Sequence, residues 1–376
     1  MGAWRIMETS AAVAALLCAT RASGGTVVEP IARLSLEGGY DSNPLYNGRA
    51  GEGTARVSPD VGLRLHDPLW DLRGSYGGDF VYFERSAPGG IWNQRGALWL
   101  DARPTRRSML SGNVQVAQAF DPAGLARVGV FRTGRQSALL VTGRGKVEWR
   151  ADRTVWVAGT MNERTVVFDD RSGGAMHAPG AEALWRVGGH RIELGGAYGF
   201  GMFQSFVPGQ PDETAFSHAI RARARWQATR HASVNAWAGP ALWLPQAGSS
   251  AMVPEAWVEL LLATRGLDLR TNVGRGLGLG ATAHPGLVDA WEVGVERRLA
   301  RRYFARGAGG FWRSGTVPRD ADAVIGYAAE AEAGMRFQDG VRLSLAAANY
   351  GRLDSAEQQY ARTTIGLRLG WELPVR

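Results

Sequence analysis

The sequence has almost none of the residues that form covalent cross-links. Its single cysteine, Cys18, lies in a short apolar stretch near the N-terminus. The basic residue Arg5, the apolar core Ala11–Ala19 and the small residues of Thr20-Arg21-Ala22 together predict a cleaved secretory signal peptide over residues 1–22. Cleavage there would leave a mature chain without cysteine, which excludes disulfide bonds and thiolate metal sites.

Long apolar runs and lysine are also scarce. No segment approaches the roughly 20 consecutive apolar residues of a membrane-spanning helix, so we expect none. Lys146 is the only lysine, and the formal net charge of +8 therefore comes from arginine. The arginines are spread along every segment and form no concentrated basic patch. We therefore expect no nucleic-acid partner.

Motifs for catalysis or cofactor binding are missing as well. The histidines show no metal-binding spacing such as HExxH, and there is no GxSxG nucleophile elbow. The glycine-rich segment Gly274–Gly280 lacks the GK[ST] of a phosphate loop and alternates as a strand does. The sequence therefore predicts a protein that is not an enzyme and that has no cofactor and no metal site.

Alternation with a period of two is the dominant pattern. In the last segment, Gln359–Leu373, apolar Ile365, Leu367 and Leu369 alternate with polar or small residues, which is typical of a strand with one apolar face. Similar segments recur from Ile31 onward. They predict an all-β fold, a transmembrane antiparallel up-and-down β-barrel of about 18 strands, with 16 as the alternative. The barrel would span residues 31–376, after a short periplasmic lead at residues 23–30.

The connections between segments fall into two alternating classes. Short ones, such as Asp67-Pro68 and Asp339-Gly340, alternate with longer ones rich in Gly, Pro, Ser and Asp, such as Asp41–Gly53 and Asp169–Gly180. Short periplasmic turns and longer extracellular loops are typical of outer-membrane barrels. An 18-stranded barrel is wide enough for an aqueous channel, and either long loop could constrict it.

Parity assigns the charged residues to the lumen. Arg221, Arg223 and Arg225 share one face of a strand whose other face carries Ala222, Ala224 and Trp226. This ladder and the basic excess favour a pore that tolerates anions, because charged rings set pore selectivity. The other charged candidates for the lumen wall are Arg144, Arg270, Arg368, Glu255, Glu259, Glu330 and Glu332.

Tryptophans fall on both faces. Trp149, Trp185, Trp226 and Trp371 take the outward parity close to short turns, where an interfacial aromatic girdle belongs. Trp99, Trp156, Trp237 and Trp257 take the inward parity. Inward aromatic rings beside charged and amide groups predict a surface on which sugar rings could stack. The alternative is a local register slip, since one residue of slip reverses both faces.

The first strand ends in a short motif, Gly39-Tyr40-Asp41-Ser42-Asn43-Pro44. This opening resembles the outer-membrane β-barrel proteins of bacterial exopolysaccharide and capsule secretion systems, as in myxobacterial polysaccharide export. The resemblance implies a barrel that carries a polysaccharide across the outer membrane, delivered by a periplasmic polysaccharide-export protein. The motif is also a turn signal, because Asp, Ser, Asn and Pro together end a strand.

The leading functional hypothesis is therefore an outer-membrane channel conducting exported polysaccharide. The first alternative is a general or anion-preferring diffusion porin. The second is an outer-membrane barrel enzyme or a structural or receptor barrel. The expected partners are outer-membrane lipid, the polysaccharide and the barrel-assembly machinery. The signal that the barrel-assembly machinery recognises usually ends on an aromatic residue at the C-terminus of the last strand. Here Trp371 is followed by Glu372-Leu373-Pro374-Val375-Arg376, so the sequence departs from that pattern.

Overall fold

The computed structural model describes residues 25–44, 51–86, 89–120, 137–187, 191–280, 283–317, 323–337, 340–353 and 359–373. The predicted signal peptide, residues 1–22, lies outside these ranges. Within them, no helix is long and apolar enough to span a membrane.

The described chain consists of 18 β-strands. They are β1 (Val27–Asp41), β2 (Glu52–Asp67), β3 (Trp70–Phe83), β4 (Ile91–Thr105), β5 (Ser108–Ala119), β6 (Ala138–Arg150), β7 (Val155–Phe168), β8 (Gly173–Val187), β9 (Ile192–Phe206), β10 (Glu213–Thr229), β11 (Ala232–Pro245), β12 (Ala251–Ala263), β13 (Leu267–Leu279), β14 (Pro285–Arg298), β15 (Tyr303–Gly315), β16 (Val324–Arg336), β17 (Val341–Leu353) and β18 (Gln359–Glu372).

These strands form one closed barrel. Each strand pairs antiparallel with its sequence neighbours, and β1 pairs with both β2 and β18. The structure confirms the predicted up-and-down barrel and selects 18 strands over 16. β1 begins at Val27 rather than Ile31, so Val27–Pro30, predicted as part of a lead segment, pair with Leu63–His66 in the sheet.

The two faces of the sheet differ sharply in chemistry. Leu36 lies opposite Val57 on one side and Leu369 on the other, and these side chains are 42%, 40% and 47% exposed. The next residue, Glu37, lies between Arg56 and Arg368 on the opposite face. Large apolar side chains exposed outside and charges inside are the reverse of a soluble protein, and they match a barrel surrounded by lipid.

Aromatic residues mark the end of the barrel that carries the short turns. Trp149, Trp185 and Trp226 lie within a few residues of those turns, and each is about half exposed on the outer face. At the β6–β7 turn, the backbone N–H of Thr154 donates to the Asp152 carboxyl at 2.5 Å and that of Val155 at 2.9 Å. The Thr154 bond is the main reason that the pKa of Asp152 lies below its usual value.

The prediction that Asp169–Gly180 could constrict the pore is wrong. β8 begins at Gly173, so only four residues connect it to β7. Arg171 turns the chain there with a φ of 64°, and a connection this short cannot reach across the lumen. The other predicted loop, Asp41–Gly53, falls partly outside the described residues, which omit 45–50.

A different segment enters the barrel. Pairing between β12 and β13 ends at Ala256 and Arg275, whereas β13 and β14 stay paired up to Leu279 and Pro285. The paired ends of these two strands therefore leave the wall together. We call residues 276–280 and 283–286 the mouth hairpin.

The mouth hairpin lies inside the extracellular end of the barrel. Leu277 and its register partner Leu287, the residue that directly follows the hairpin, pack against a buried cluster on the inner wall of β9–β12, which includes Phe203, Ala219 and Trp243. At the tip, Ala283 is buried among Ala119, Ala138, Leu140, Val166 and Phe168 of β5–β7. The hairpin thus crosses from β13 towards the wall at β7, and it narrows the mouth.

Glycine permits this bend. A Cβ atom at Gly274 would lie 2.3 Å from the Trp257 ring and 2.4 Å from the Ala256 carbonyl oxygen. Gly274, which sequence analysis assigned to a regular strand, therefore serves a close backbone approach at the point where β13 leaves β12.

Candidate functional site: the charged lumen

The predicted arginine ladder lies on the inner face of β10. Arg221 donates to the Glu255 carboxylate from Nε at 2.9 Å and from Nη2 at 2.6 Å. Its guanidinium also lies over the Trp237 ring, 4.5 Å from the centroid. Glu255 is only 3% exposed, so this predicted pair is a tightly held part of the wall.

The rest of the ladder converges on an acidic residue that parity analysis did not select. Glu182 of β8 lies 3.3 Å from Arg223 Nη2 and 3.0 Å from Arg225 Nη2. Lys146 Nζ of β6 approaches the same carboxylate at 3.0 Å. Glu182 and the outward residue Trp185 are three positions apart and therefore lie on opposite faces of the strand. This parity could have assigned Glu182 to the lumen.

Two more carboxylates belong to this group: Glu148 lies 3.2 Å from Lys146 Nζ, and Glu193 lies 3.7 Å from Arg225 Nη1 and 3.1 Å from Arg186 Nη2. Its four cations exceed its three carboxylates by one positive charge.

A second charged cluster lies on the inner face of β1 and β15–β18. Arg368 Nη2 donates to Glu37 at 2.6 Å and Arg368 Nη1 to Glu332 at 3.0 Å. Glu332 also accepts from Arg306 Nε at 2.8 Å and from Ser344 Oγ at 2.7 Å.

The remaining predicted acids have partners closer to their own strands. Glu330 accepts from the Tyr350 hydroxyl at 2.9 Å, and Arg270 lies 2.7 Å from Glu259. The structure therefore divides the predicted charges between several wall positions instead of gathering them into one ring.

Two inward arginines have no carboxylate partner. Arg144 lies between Asn113 and Asn162 in register and is exposed. Arg342 lies opposite Arg336 and Gly370. Neither forms an ion pair with another residue of the described ranges. Arg342 lies near enough to Glu332 and Glu372 to interact with both electrostatically, so Arg144 is the residue of the two that adds positive charge to the inner wall.

The four inward tryptophans lie on strand faces that point to the lumen, but three of their rings are already engaged. Trp156 lies between Arg150 and Arg186, with ring-to-guanidinium distances of 5.1 and 5.6 Å. Trp237 is covered by Arg221. Trp257 packs against the buried cluster of Ala290, Trp312, Ala328 and Tyr350. Trp99 lies between Arg73 and Asn113 in register.

The mouth hairpin is hydrogen-bonded directly to the arginine ladder. The backbone N–H of Leu277 donates to Glu255 Oε1 at 2.9 Å, while the other oxygen of that carboxylate accepts from Arg221. Near the tip, Ser205 Oγ and His284 Nδ1 are hydrogen-bonded at 2.7 Å. Glu255 therefore joins the charged wall to the segment that narrows the mouth.

The described residues include no group of three or more His, Cys, Asp or Glu side chains that could hold a metal ion. The inner-wall side chains named above supply charge, hydrogen-bonding groups and aromatic rings that stack on guanidinium groups.

No protein-family profile matches the chain, and no curated protein is similar to it in sequence. Three solved outer-membrane proteins are similar in shape. OpdK of Pseudomonas aeruginosa is 9% identical, covers 92% of this chain and 99% of its own, and has a TM-score of 0.42. The channel DcaP of Acinetobacter baumannii is 12% identical, with coverages of 94% and 99% and a TM-score of 0.44. The FrpB iron transporter of Neisseria meningitidis is 10% identical, with coverages of 92% and 81% and a TM-score of 0.46. Similarity at this level says nothing about the solute.

The class of the protein follows from its own geometry. A closed antiparallel barrel, an apolar exposed outer face and a charged inner face define a transmembrane β-barrel of the kind found in bacterial outer membranes.

Proposed function

We propose that this protein is a passive outer-membrane diffusion channel that prefers small anionic solutes. The observation that carries the proposal is the excess of positive charge on the inner wall. Around Glu182, the cations Lys146, Arg186, Arg223 and Arg225 outnumber the carboxylates Glu148, Glu182 and Glu193 by one, and Arg144 forms no ion pair within the described chain. Fixed charge on a lumen wall sets which ions enter.

The paired arginines contribute to the same preference. Glu37, Glu182, Glu255 and Glu332 are each bound by one or more guanidinium groups, so they offer little to a passing cation. The Arg270 side chain remains 63% exposed although it lies 2.7 Å from Glu259. An anion can therefore approach guanidinium donors along the wall and leave again, as conduction through weak, repeated contacts requires.

Polysaccharide export has less support from this lumen. A polymer path would need aromatic faces open to sugar rings, whereas Trp156, Trp237 and Trp257 are covered or packed. The mouth hairpin would also have to move aside for every polymer chain. For the same reason, a periplasmic polysaccharide-export protein is not part of the proposal.

The motif that carried the resemblance to export barrels has a structural role. Asp41 binds Arg362, the Ser42 backbone N–H donates to the Thr363 carbonyl at 2.9 Å, and Asn43 Nδ2 donates to the Ala361 carbonyl at 2.9 Å. Asp41, Ser42 and Asn43 thus connect β1 to β18 through hydrogen bonds. Every closed barrel needs a connection between its first and last strands.

Solute flux into proteoliposomes tests the proposal. We expect swelling to be faster with small organic anions than with cations of similar size. Swelling should fall steeply as neutral oligosaccharides lengthen, because the mouth hairpin narrows the path. Equal rates for anions and cations would contradict the anion preference, and undiminished flux of long oligosaccharides would restore the polymer hypothesis.

A further inference from the structure

The connections at the two ends of the barrel differ in charge. The eight connections at the short-turn end, from β2–β3 to β16–β17, contain eight arginines and two acidic residues. The nine connections at the opposite end contain seven arginines and nine acidic residues. Unbalanced positive charge is therefore concentrated at the short-turn end, which is the periplasmic end of an outer-membrane barrel.

The eight arginines at this end lie in six connections. Two connections carry neighbouring pairs, Arg106 with Arg107 and Arg301 with Arg302. Four more connections carry one arginine each: Arg153, Arg191, Arg230 and Arg265. We call these eight residues the arginine rim. All of them are exposed, and none forms an ion pair with another residue of the described chain, so their charge is open to a partner.

The acidic residue Asp152 does not offset this charge through an ion pair. Its carboxyl accepts hydrogen bonds from the backbone N–H groups of Thr154 and Val155, at 2.5 and 2.9 Å. Asp152 therefore stabilises its own turn, and its neighbour Arg153 stays exposed.

The arginine rim extends around most of the barrel. Its residues occupy six successive connections of the short-turn end, from β4–β5 to β14–β15. A compact acidic protein would contact one side of such a rim, whereas the headgroups of a bilayer surround the whole barrel. The distribution therefore favours a lipid surface as the partner.

Aromatic side chains place the rim at the level of the headgroups. Trp149 and Trp226 are 51% and 50% exposed on the outer face, where tryptophan marks the membrane–water interface. Arg153 and Arg230 each follow one of these tryptophans by four residues, on the side of the turn. The rim thus lies just beyond the apolar band.

The same connections also expose large apolar side chains. Leu69, Leu299 and Phe337 are 57%, 58% and 45% exposed. Exposed apolar groups beside arginines suit an interface between lipid and water, because the apolar groups contact acyl chains while the charged groups stay at the headgroups.

We propose that the arginine rim binds the anionic headgroups of phospholipids in the inner leaflet of the outer membrane. Guanidinium groups present forked N–H donors that match phosphate oxygens, and basic residues near a membrane surface attract anionic lipids. The pairs Arg106–Arg107 and Arg301–Arg302 each offer two guanidinium groups to one headgroup. The rim lies beyond the ends of the strands, so the proposal is independent of which solute the channel carries.

Native mass spectrometry of the full folded barrel in detergent tests the rim, with phosphatidylglycerol and phosphatidylcholine of the same acyl chains as probes. Both lipids carry a phosphate, but only phosphatidylglycerol has a net negative charge. On the unchanged protein, we expect phosphatidylglycerol to bind at least about ten-fold more tightly. R106Q/R107Q/R301Q/R302Q should lower this preference at least about three-fold.

R73Q/R95Q/R270Q/R306Q is the charge-matched control. It removes four inward arginines whose side chains are 49%, 47%, 63% and 43% exposed, and it should keep the preference of the unchanged protein. An equal loss in both variants would show that net charge alone attracts the lipid, which would overturn the rim as a binding surface.

Equal binding of the two lipids by the unchanged protein would also overturn the proposal, and that comparison does not depend on any variant folding. Full retention of the preference in R106Q/R107Q/R301Q/R302Q would contradict it as well. Inorganic phosphate should compete only weakly. Full competition at equal concentration would mean that the rim takes a soluble anion and not a lipid.

Discussion

Arg362 of the last strand binds Asp41 of the first strand through Nε at 2.8 Å and Nη2 at 2.5 Å. The two side chains are 2% and 1% exposed. Glu37 with Arg368 and Arg33 with Glu372 repeat this contact further along the same seam. The barrel is thus closed by backbone pairing and by three ion pairs whose burial increases towards the mouth.

The buried pair should contribute most to closure. We expect R362Q to lower the free energy of unfolding by about 3–5 kcal/mol, because it leaves the Asp41 carboxylate buried without its partner. The measurement is equilibrium unfolding in urea, with folded and unfolded barrels separated by electrophoresis.

R33Q is the matched control at the open end of the same seam. The Arg33 and Glu372 side chains are 50% and 41% exposed. Removing this ion pair should therefore lower the free energy of unfolding by about 0–1 kcal/mol. Equal destabilisation by R362Q and R33Q would show that burial does not determine the contribution of these pairs.

Glu255 should control the position of the mouth hairpin. In E255Q, a neutral amide replaces the carboxylate that accepts from Leu277 N–H and Arg221. A hydrogen bond to a neutral group is weaker than one to a charged group by about 1 kcal/mol. This difference lowers the ratio of barrels with the hairpin in place to barrels with the hairpin displaced by roughly five-fold. We expect larger or longer openings in single-channel recordings.

The control for this prediction is a tether. Cysteines at Ser205 and His284, whose side chains are hydrogen-bonded in the structure, can be joined by a short bis-methanethiosulfonate cross-linker, which forms a reducible disulfide with each thiol. In the E255Q background the tether should restore wild-type conductance, and reduction should reverse the effect. If E255Q conducts like the wild type with and without the tether, the hairpin is not held by Glu255.

Gly274 should tolerate no side chain. In G274A, the new methyl group would meet the Trp257 ring and the Ala256 carbonyl oxygen at under 2.5 Å. Overpacking of this kind costs about 1–3 kcal/mol, and unfolding in urea measures it. G294A is the control, because a Cβ atom there meets nothing within 4 Å. Equal stability of the two variants would contradict the close approach of β13 to Trp257.

Sequence alternation was sufficient to predict the barrel because each strand has one lipid face and one lumen face. Leu36 and Trp226 were placed correctly outside by parity alone. The mouth hairpin was not predictable in this way. Leu277 and Leu287 keep the same alternation whether they face lipid or pack on Phe203 inside the mouth, so periodicity carries no information about where a strand leaves the wall.

The ion-pair partners were also beyond sequence analysis. Arg223 and Glu182 lie on different strands, and their distance of 3.3 Å depends on strand tilt and side-chain reach. Parity assigns each residue to a face but does not set its height within the barrel. The tryptophans illustrate the same limit, since their inward parity gave no sign that Arg221 would cover Trp237.

The reversal potential of the channel in a KCl gradient across a planar bilayer tests the central claim most directly. The wild type should show anion selectivity. R221Q/R223Q/R225Q should shift it towards cations, because Glu255 and Glu182 lose their arginine partners. A cation-selective wild type, or a ladder variant with unaltered selectivity, would contradict the account.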